Sequence, residues 1–211
     1  MDFNNMLEYV KNILEDNNSI KSKNPNHQFR NRFKHSYRVY LWVKRLAEDF
    51  PNCDLDVLKC AAIFHDSGYA YGKKDHAISS KYIFMNYVYE HKKEFEDDLV
   101  KKVCYIIENH SNKDLIKTSS NIELILLLEA DLLDEEGAMG ILWDLLAKGH
   151  KGVNDYDEAL DEIYKHSIHI LNQDYMVTPL AKKYWNIKKE LVKDFVNAIK
   201  FDLFLEDNDE K

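Results

Sequence analysis

The chain has 211 residues, 45% of them hydrophobic, enough to fill a sizeable core and too many for a chain disordered beyond its ends. Acids outnumber lysines and arginines 37 to 29, a net charge of -8 that argues against a nucleic-acid polymer as the main ligand, because such binding rests on many cationic contacts to phosphate. Cys53, Cys60 and Cys104 lack CxxC spacing, so they read as small core hydrophobes in a reducing compartment rather than as a disulfide framework or a thiolate zinc site.

The opening MDFNNMLEYV carries acids where a signal peptide would carry a basic region and an apolar run. The longest aliphatic run, Leu124 to Leu128, is too short for a bilayer, so a cytoplasmic protein without membrane association is expected. Six glycines and three prolines punctuate the chain, and apolar residues recur at helical spacing nearly throughout. This predicts an all-α fold in a single domain over 1–205. A first helix is expected over 3–16, followed by a loop that ends near Asn26. The second runs over 29–50 and is stopped by Pro51. Asp54 is placed to cap the third, which ends around Asp66 with Gly68 as its terminator. Further helices are expected over 75–91, 95–110, 121–133, 136–148, 155–172 and 179–205, before a frayed acidic tail at 206–211.

Charge is unevenly spread. Between Asn17 and Ala47 there is no acid, while Lys21, Lys23, Arg30, Arg32, Lys34, Arg38, Lys44 and Arg45 are basic. A local positive field of this kind suits a small anionic substrate, although an ordinary solvated face explains any one of these residues equally well.

His35 sits inside that stretch, and counting forward by helical steps aligns it with Val39, Trp42 and Leu46, with Val43 beside them. It therefore faces the core. The same count aligns Asp66 with Leu55 and Ala62, with His65 at the edge of that face, and places Asp131 on the stripe of Leu124, Leu127 and Leu128. Taken singly, a core histidine is satisfied by a carbonyl and an acid by a helix end. Taken together, two imidazoles and two carboxylates on buried stripes would lose several kcal/mol without a partner and match a mixed nitrogen and oxygen site for manganese, iron, cobalt, nickel, zinc or magnesium.

The order His35, then His65-Asp66, then Asp131, within RFKHSYRVY, LKCAAIFHDSGY and LLEADLLDEEGAMGI, resembles the signature of the HD-domain metal-dependent phosphohydrolase superfamily. The resemblance covers roughly 29–205, with the signature over 29–135 and C-terminal helices over 136–205, and is nearest to compact members that act on nucleotides or other small phosphate compounds. It implies a helical bundle in which His35, His65, Asp66 and Asp131 hold one divalent ion, or one of two, and in which a phosphoester or phosphoanhydride bond is hydrolysed. Asp66 would also orient the attacking water. His76, in KKDHAISSKYI, and His110, on the stripe of Val103, Ile106 and Ile107, would complete a second metal site, donate a proton to the leaving group or contact phosphate.

Arg38, one turn after His35, and Lys73 and Lys74 in GYAYGKKD are expected to neutralise phosphate charge. That loop is not a Walker sequence: Gly68, Gly72 and Lys73 are too closely spaced, and Lys74 stands where serine or threonine is required. The continuation SGYAYG lacks the Glu-Asp pair of the hydrolases acting on starvation nucleotides and of some deoxynucleotidases. The short gap from His65 to His76 is unlike the cyclic-dinucleotide phosphodiesterases. Two other readings remain open, a non-catalytic nucleotide or metal sensor signalling through the C-terminal helix, and a cyclic-nucleotide phosphodiesterase.

The other histidines, His27, His91, His150, His166 and His169, are expected at the surface, the first and third of them in loops. Asp134, one turn beyond Asp131, is placed to support a metal ligand, whereas Glu129 falls on nearly the opposite side. Tyr82, Phe84, Tyr87, Tyr156 and Trp185 read as mainly core, with one or two free to stack on a base.

Overall fold

The computed structural model describes residues 1–24, 27–152 and 155–205, and among these the chain is helical, with one isolated bridge between Lys21 and Asn31 and no strand. The expected tail at 206–211 and the last two positions of the first loop lie outside the described residues. Helices begin where side chains take up their free N–H groups. Asp2 accepts from Asn4 N and Asn5 N to start α1 (Phe3–Asp16), Asn31 accepts from Lys34 N to start α2 (Arg32–Leu46), and Asp54 accepts from Val57 N to start α3 (Leu55–Phe64). There follow α4 (His76–Glu90), α5 (Asp97–Asn109), α6 (Leu115–Thr118), α7 (Ile122–Glu135) and α8 (Ala138–His150). The chain closes with α9 (Tyr156–Ile163), a π-helical turn (Tyr164–Ile168), α10 (His169–Leu171) and α11 (Pro179–Asp202), with Pro179 in the first turn where its missing N–H is harmless.

Two helices form the centre because they are apolar all round. In α3, Val57, Leu58 and every residue from Cys60 to Phe64 are buried, and in α7 every residue from Leu124 to Ala130 is buried. The small side chains of Ala61 and Ala62 allow close approach, and α3 packs against α1, α2, α5 and α7. As a result, α2 and α4 aim their N-termini, and α3, α5 and α7 their C-termini, at one end of the bundle. Among the described residues no helix is long and apolar enough to cross a membrane.

Several expectations are corrected. α2 starts later than 29 and gives way to a 3-10 turn (Ala47–Asp49) before Pro51, and α6 had no periodic signal. α3 stops at Phe64, so Asp66 is not on its stripe; Leu55, its supposed partner there, is exposed. Asp66 instead opens a 3-10 turn (Ser67–Ala70) with φ -104° and ψ 3°. The segment over 155–172 is interrupted by the π-helical turn, and His150 is the last residue of α8 rather than a loop residue. Phe84, Tyr87 and Trp185 are core, but Tyr82 and Tyr156 are exposed. Glu129 is fully buried, accepting from Val177 N (2.6 Å), Thr178 N (2.9 Å) and Thr178 Oγ1 (2.6 Å), which ties the start of α11 to α7.

Gly68 is required by contact rather than by helix termination. A Cβ there would lie 2.0 Å from His76 O, 2.5 Å from Ser80 N and 2.8 Å from Ser79 Cβ. Its N–H donates to Ser80 Oγ at 2.8 Å, and that hydroxyl donates to His65 O at 2.6 Å, so α4 is seated directly on the turn carrying Asp66. Gly68→Ala should therefore lower unfolding free energy by about 3 kcal/mol or more in denaturant titrations, since backbone atoms must move to admit one methyl group. A loss below 1 kcal/mol, the ordinary range for a mild substitution, would show that α4 is not held this closely.

Candidate metal centre

His35 lies one turn into α2, buried, and donates from Nδ1 to Asp134 Oδ2 at 2.7 Å. His65, fully buried, donates from Nδ1 to Ala62 O at 2.8 Å, and His110 at the end of α5 donates from Nδ1 to Ile107 O at 2.6 Å. His76, the first residue of α4, donates from Nδ1 to Lys73 O at 3.2 Å. A main-chain carbonyl, or the ionised carboxylate of Asp134, can only accept, so these bonds place a proton on Nδ1 and turn Nε2 inward.

The inward nitrogens meet around Asp66 and Asp131. His35 Nε2 is 3.1 Å from Asp131 Oδ1 and 3.6 Å from Asp66 Oδ2, and His65 Nε2 is 3.9 Å and 3.8 Å from Asp131 Oδ1 and Asp66 Oδ1. On its other side Asp66 Oδ1 lies 3.4 Å from His110 Nε2 and 3.7 Å from His76 Nε2. Two groups of donor atoms thus share Asp66, His35 with His65 and His76 with His110, each lying within 4.8 Å of one another. Donors about 2.1 Å from one ion stand roughly 3 to 3.5 Å apart, so the donor set fits a divalent metal. The chemistry agrees: His76 Nε2 and His110 Nε2 lie 3.1 Å apart with their protons committed elsewhere, so lone pair faces lone pair until a cation lies between. The four residues expected as ligands, and both additional histidines, are brought together.

Cations surround this cluster. Lys113 Nζ pairs with Asp131 Oδ2, and Arg30 pairs with Glu135 while its Nη2 lies 3.9 Å from Asp66 Oδ2. Arg32 Nη1 lies 3.7 Å from Asp66 Oδ2, and its guanidinium stacks 3.3 Å above the Tyr69 ring. That Nη1 is buried and has no hydrogen-bond partner among the described residues. Burial works to raise the Asp66 carboxyl, but His65, His110, His35 and Arg30 outweigh it and hold the group well below the usual carboxylate range. Burial also works against Asp131, which Lys113 and His35 hold ionised.

The cations expected from sequence lie elsewhere. Arg38 is committed to Asp134, donating from Nε to Oδ1 (2.6 Å) and from Nη2 to Oδ2 (2.8 Å), so it fixes the carboxylate that orients His35 instead of facing the centre. Lys73 and Lys74 are exposed on the turn before α4, and Lys73 adds to burial, Arg30 and Lys151 in disfavouring protonation of His27. Arg30 and Arg32 belong to the acid-free stretch noted in the sequence, whereas Lys113, in a loop turn, carried no periodic signal.

Two of the rings oppose each other in their titration. Burial would lower His35, but hydrogen bonds to Asp131 and Asp134 raise it to about 9, while burial lowers His65 to about 4. A raised histidine stabilises the fold below its unfolded value near ~6.5 and loses that contribution as pH climbs toward the folded value; a lowered one loses stability as pH falls below ~6.5. Protein stripped with chelator should therefore lose on the order of 3 kcal/mol or more between pH 6.5 and pH 9, where the raised carboxyl of Glu136 adds to the loss, and change little on the acid side, where Glu136 offsets His65, measured by denaturant unfolding across pH. A flat profile from pH 5 to 9 would contradict this assignment of the rings.

The HD domain family matches residues 32–136, which span His35, His65-Asp66 and Asp131. Comparison with curated proteins gives no match. Among solved structures, an HD-superfamily hydrolase from Bacillus thuringiensis is 21% identical, covers 97% of both chains and superposes with a TM-score of 0.72. The Lin1889 protein of Listeria innocua is 22% identical over 98% of this chain and all of its own, with a TM-score of 0.63. YpgQ of Bacillus subtilis, in complex with ADP, is 19% identical over 93% of this chain and 96% of its own, with a TM-score of 0.62. At these identities the likeness is one of fold. With the family match and the ordered set of histidines and aspartates at one end of an all-α bundle, the chain belongs to the HD-domain superfamily.

Proposed function

We propose that the protein is a divalent-metal-dependent phosphohydrolase that cleaves a phosphoester or phosphoanhydride bond in a small, nucleotide-like substrate. The observation that carries this reading is the meeting of four inward Nε2 atoms on Asp66, with Asp131 completing the donor set. His35, His65, Asp66 and Asp131 would hold the ion. When bound, a divalent ion supplies hydroxide from water near neutral pH and polarises a phosphoryl oxygen.

The remaining steps fall to side chains. Asp66 lies between the two histidine pairs, where its carboxylate orients the attacking water. Arg32 offers its unpaired buried Nη1–H to a phosphoryl oxygen, and Arg30 and Lys113 balance charge that redistributes in the transition state. His76, the less buried of the second pair, would protonate the leaving oxygen only after taking up a proton at Nε2 from solvent; in its neutral form it would instead join His110 and Asp66 as a donor set for a second ion. The fold shared with YpgQ, crystallised with ADP, supports a nucleotide as substrate. Three free cysteines fit action in a reducing compartment, the cytoplasm.

Elemental analysis and phosphate release from nucleoside mono-, di- and triphosphates with added manganese test the proposal. Asp66→Ala should lose both metal and turnover, the latter by about 1,000-fold or more; an active, metal-free Asp66→Ala protein would refute it. Ligand-induced stabilisation without product would favour a sensor, and ring opening of a cyclic nucleotide without free phosphate a phosphodiesterase. Asp134→Asn, which keeps the shape but weakens the grip on His35 Nδ1 and on Arg38, should lower metal affinity by about 10–100-fold in equilibrium dialysis while the fold persists.

A further inference from the structure

A cavity of about 310 Å3 lies beside the metal centre, between α8 and the π-helical turn, at the lower end of the range for small-molecule sites. The helix α8 turns Gly140, Asp144 and Ala147 toward it, three residues whose spacing keeps them on one face. A Cβ at Gly140 would lie 2.8 Å from Ser167 Oγ and 3.1 Å from Glu136 Oε2, so the glycine is what keeps this space open. On the facing wall the π-helical turn presents Ser167, whose N–H (3.2 Å) and hydroxyl (2.7 Å) both donate to Asp144 Oδ2. Single π turns within helices are frequent at functional sites.

Glu136 is the unexplained group. It is 6% exposed and lines the cavity, and its carboxyl makes no hydrogen bond or ion pair among the described residues. Lys188 Nζ donates at 3.0 Å to the main-chain carbonyl of Glu136, not to its side chain. Burial, with Glu135 and Asp144 nearby, pushes this carboxyl up to about 8. A buried carboxyl without protein donors is costly, and one that opens onto a cavity can take its donors from a ligand entering there, in place of water. No third acid or histidine joins Glu136 and Asp144 within metal-ligand range among the described residues, which disfavours a bare cation as that ligand.

Cations line the cavity as well, Arg30 among them as the partner of Glu135. Arg30 lines it and reaches toward Asp66 of the metal centre, while the charges of Arg30, Lys151, Lys73 and Arg32 all bear on His27 at the rim. Trp143 supplies an aromatic wall, with the Arg30 guanidinium 4.9 Å from its ring centre. A molecule with phosphate at one end and a flat ring bearing N–H donors at the other matches this polarity. Two adjacent N–H donors on one edge pair with the ionised form of a carboxyl and, by supplying donors it otherwise lacks, would offset the burial that keeps Glu136 protonated. Of the common nucleobases guanine alone presents such an edge, through N1–H and the 2-amino group.

We propose that this cavity is the base-binding pocket, built for a guanine-type edge that pairs with Glu136 and approaches Asp144 while the phosphate is held at the metal centre. This deepens the phosphohydrolase reading, on which the phosphate placement rests; the base-binding claim is tested without turnover. Calorimetric titration of the metal-loaded protein with guanosine, inosine, adenosine and cytidine should give tightest binding for guanosine, with inosine, which lacks the 2-amino group, weaker by about tenfold or more. Glu136→Gln, nearly isosteric, should abolish that preference, and Gly140→Val should block binding; circular dichroism and metal content report whether each variant is folded. Equal binding of all four nucleosides, binding of none, or an undiminished guanosine preference in folded Glu136→Gln would overturn the pocket. Glu136-dependent guanosine binding without hydrolysis of any phosphate compound would sustain the pocket and defeat the phosphohydrolase reading, whereas hydrolysis with base-blind KM values would do the reverse.

Discussion

The buried charge of Asp66 is the constraint around which the rest of the structure is arranged. A carboxylate taken out of water loses several kcal/mol unless its oxygens find opposite charge or donors. Here the partners come from almost every neighbouring element: His35 and Arg32 from α2, His65 from the end of α3, His76 from α4 and His110 from the end of α5. None of these could reach Asp66 if the helices crossed at their middles. Pointing helix ends at one spot lets four segments each contribute a side chain, and the apolar lengths of α3 and α7 hold those ends in place from behind.

Helix ends also supply the orientation of the rings. The last carbonyls of a helix have no partner within it. His65 satisfies Ala62 O in the final turn of α3, and His110 satisfies Ile107 O in the final turn of α5, so one bond both caps the helix and fixes which nitrogen faces inward. Capping alone does not make such a histidine part of the site. His91 bonds Tyr87 O at the end of α4 in the same manner, yet its ring stacks on Tyr87 and makes no ion pair with a carboxylate among the described residues. What separates the two cases is whether the free nitrogen meets a carboxylate.

Those differences explain what could be read from the sequence. Helical period reveals which face is buried, so His35 and the pairing of Asp131 with Asp134 one turn on were visible from spacing, and the bonds from Asp134 to His35 and Arg38 follow from that register. Period reveals nothing about residues outside helices. Asp66 sits in a turn where no stripe argument applies, Gly68 is dictated by the backbone of α4, and Lys113 reaches Asp131 from a loop. Nor does period show how far a long side chain extends. Arg38 is on the expected side of α2 yet is consumed by Asp134, while Arg30 and Arg32, at and before the start of the helix, fold back to Asp66. The π-helical turn and the acids it faces were hidden for the same reason, since one extra residue in a helical turn shifts every later side chain off its counted face.

Arg30 joins the two halves of this arrangement. Its guanidinium is divided between Glu135 and the approach to Asp66, against the face of Trp143, so it borders both the metal centre and the adjoining cavity. The cavity thus offers a cation at this boundary and hydrogen-bond acceptors at Glu136 and Asp144. A ligand entering with its anionic end toward Arg30 and Arg32 meets attraction at one end and hydrogen-bond acceptors at the other. Reversing it would set phosphate against two buried acids that supply no cation to balance its charge. The net charge of -8 does not by itself oppose an anion here, because Arg30, Arg32 and Lys113 lie well within a screening length, near ~8 Å, of Asp66 and Asp131, and acids beyond that distance are screened.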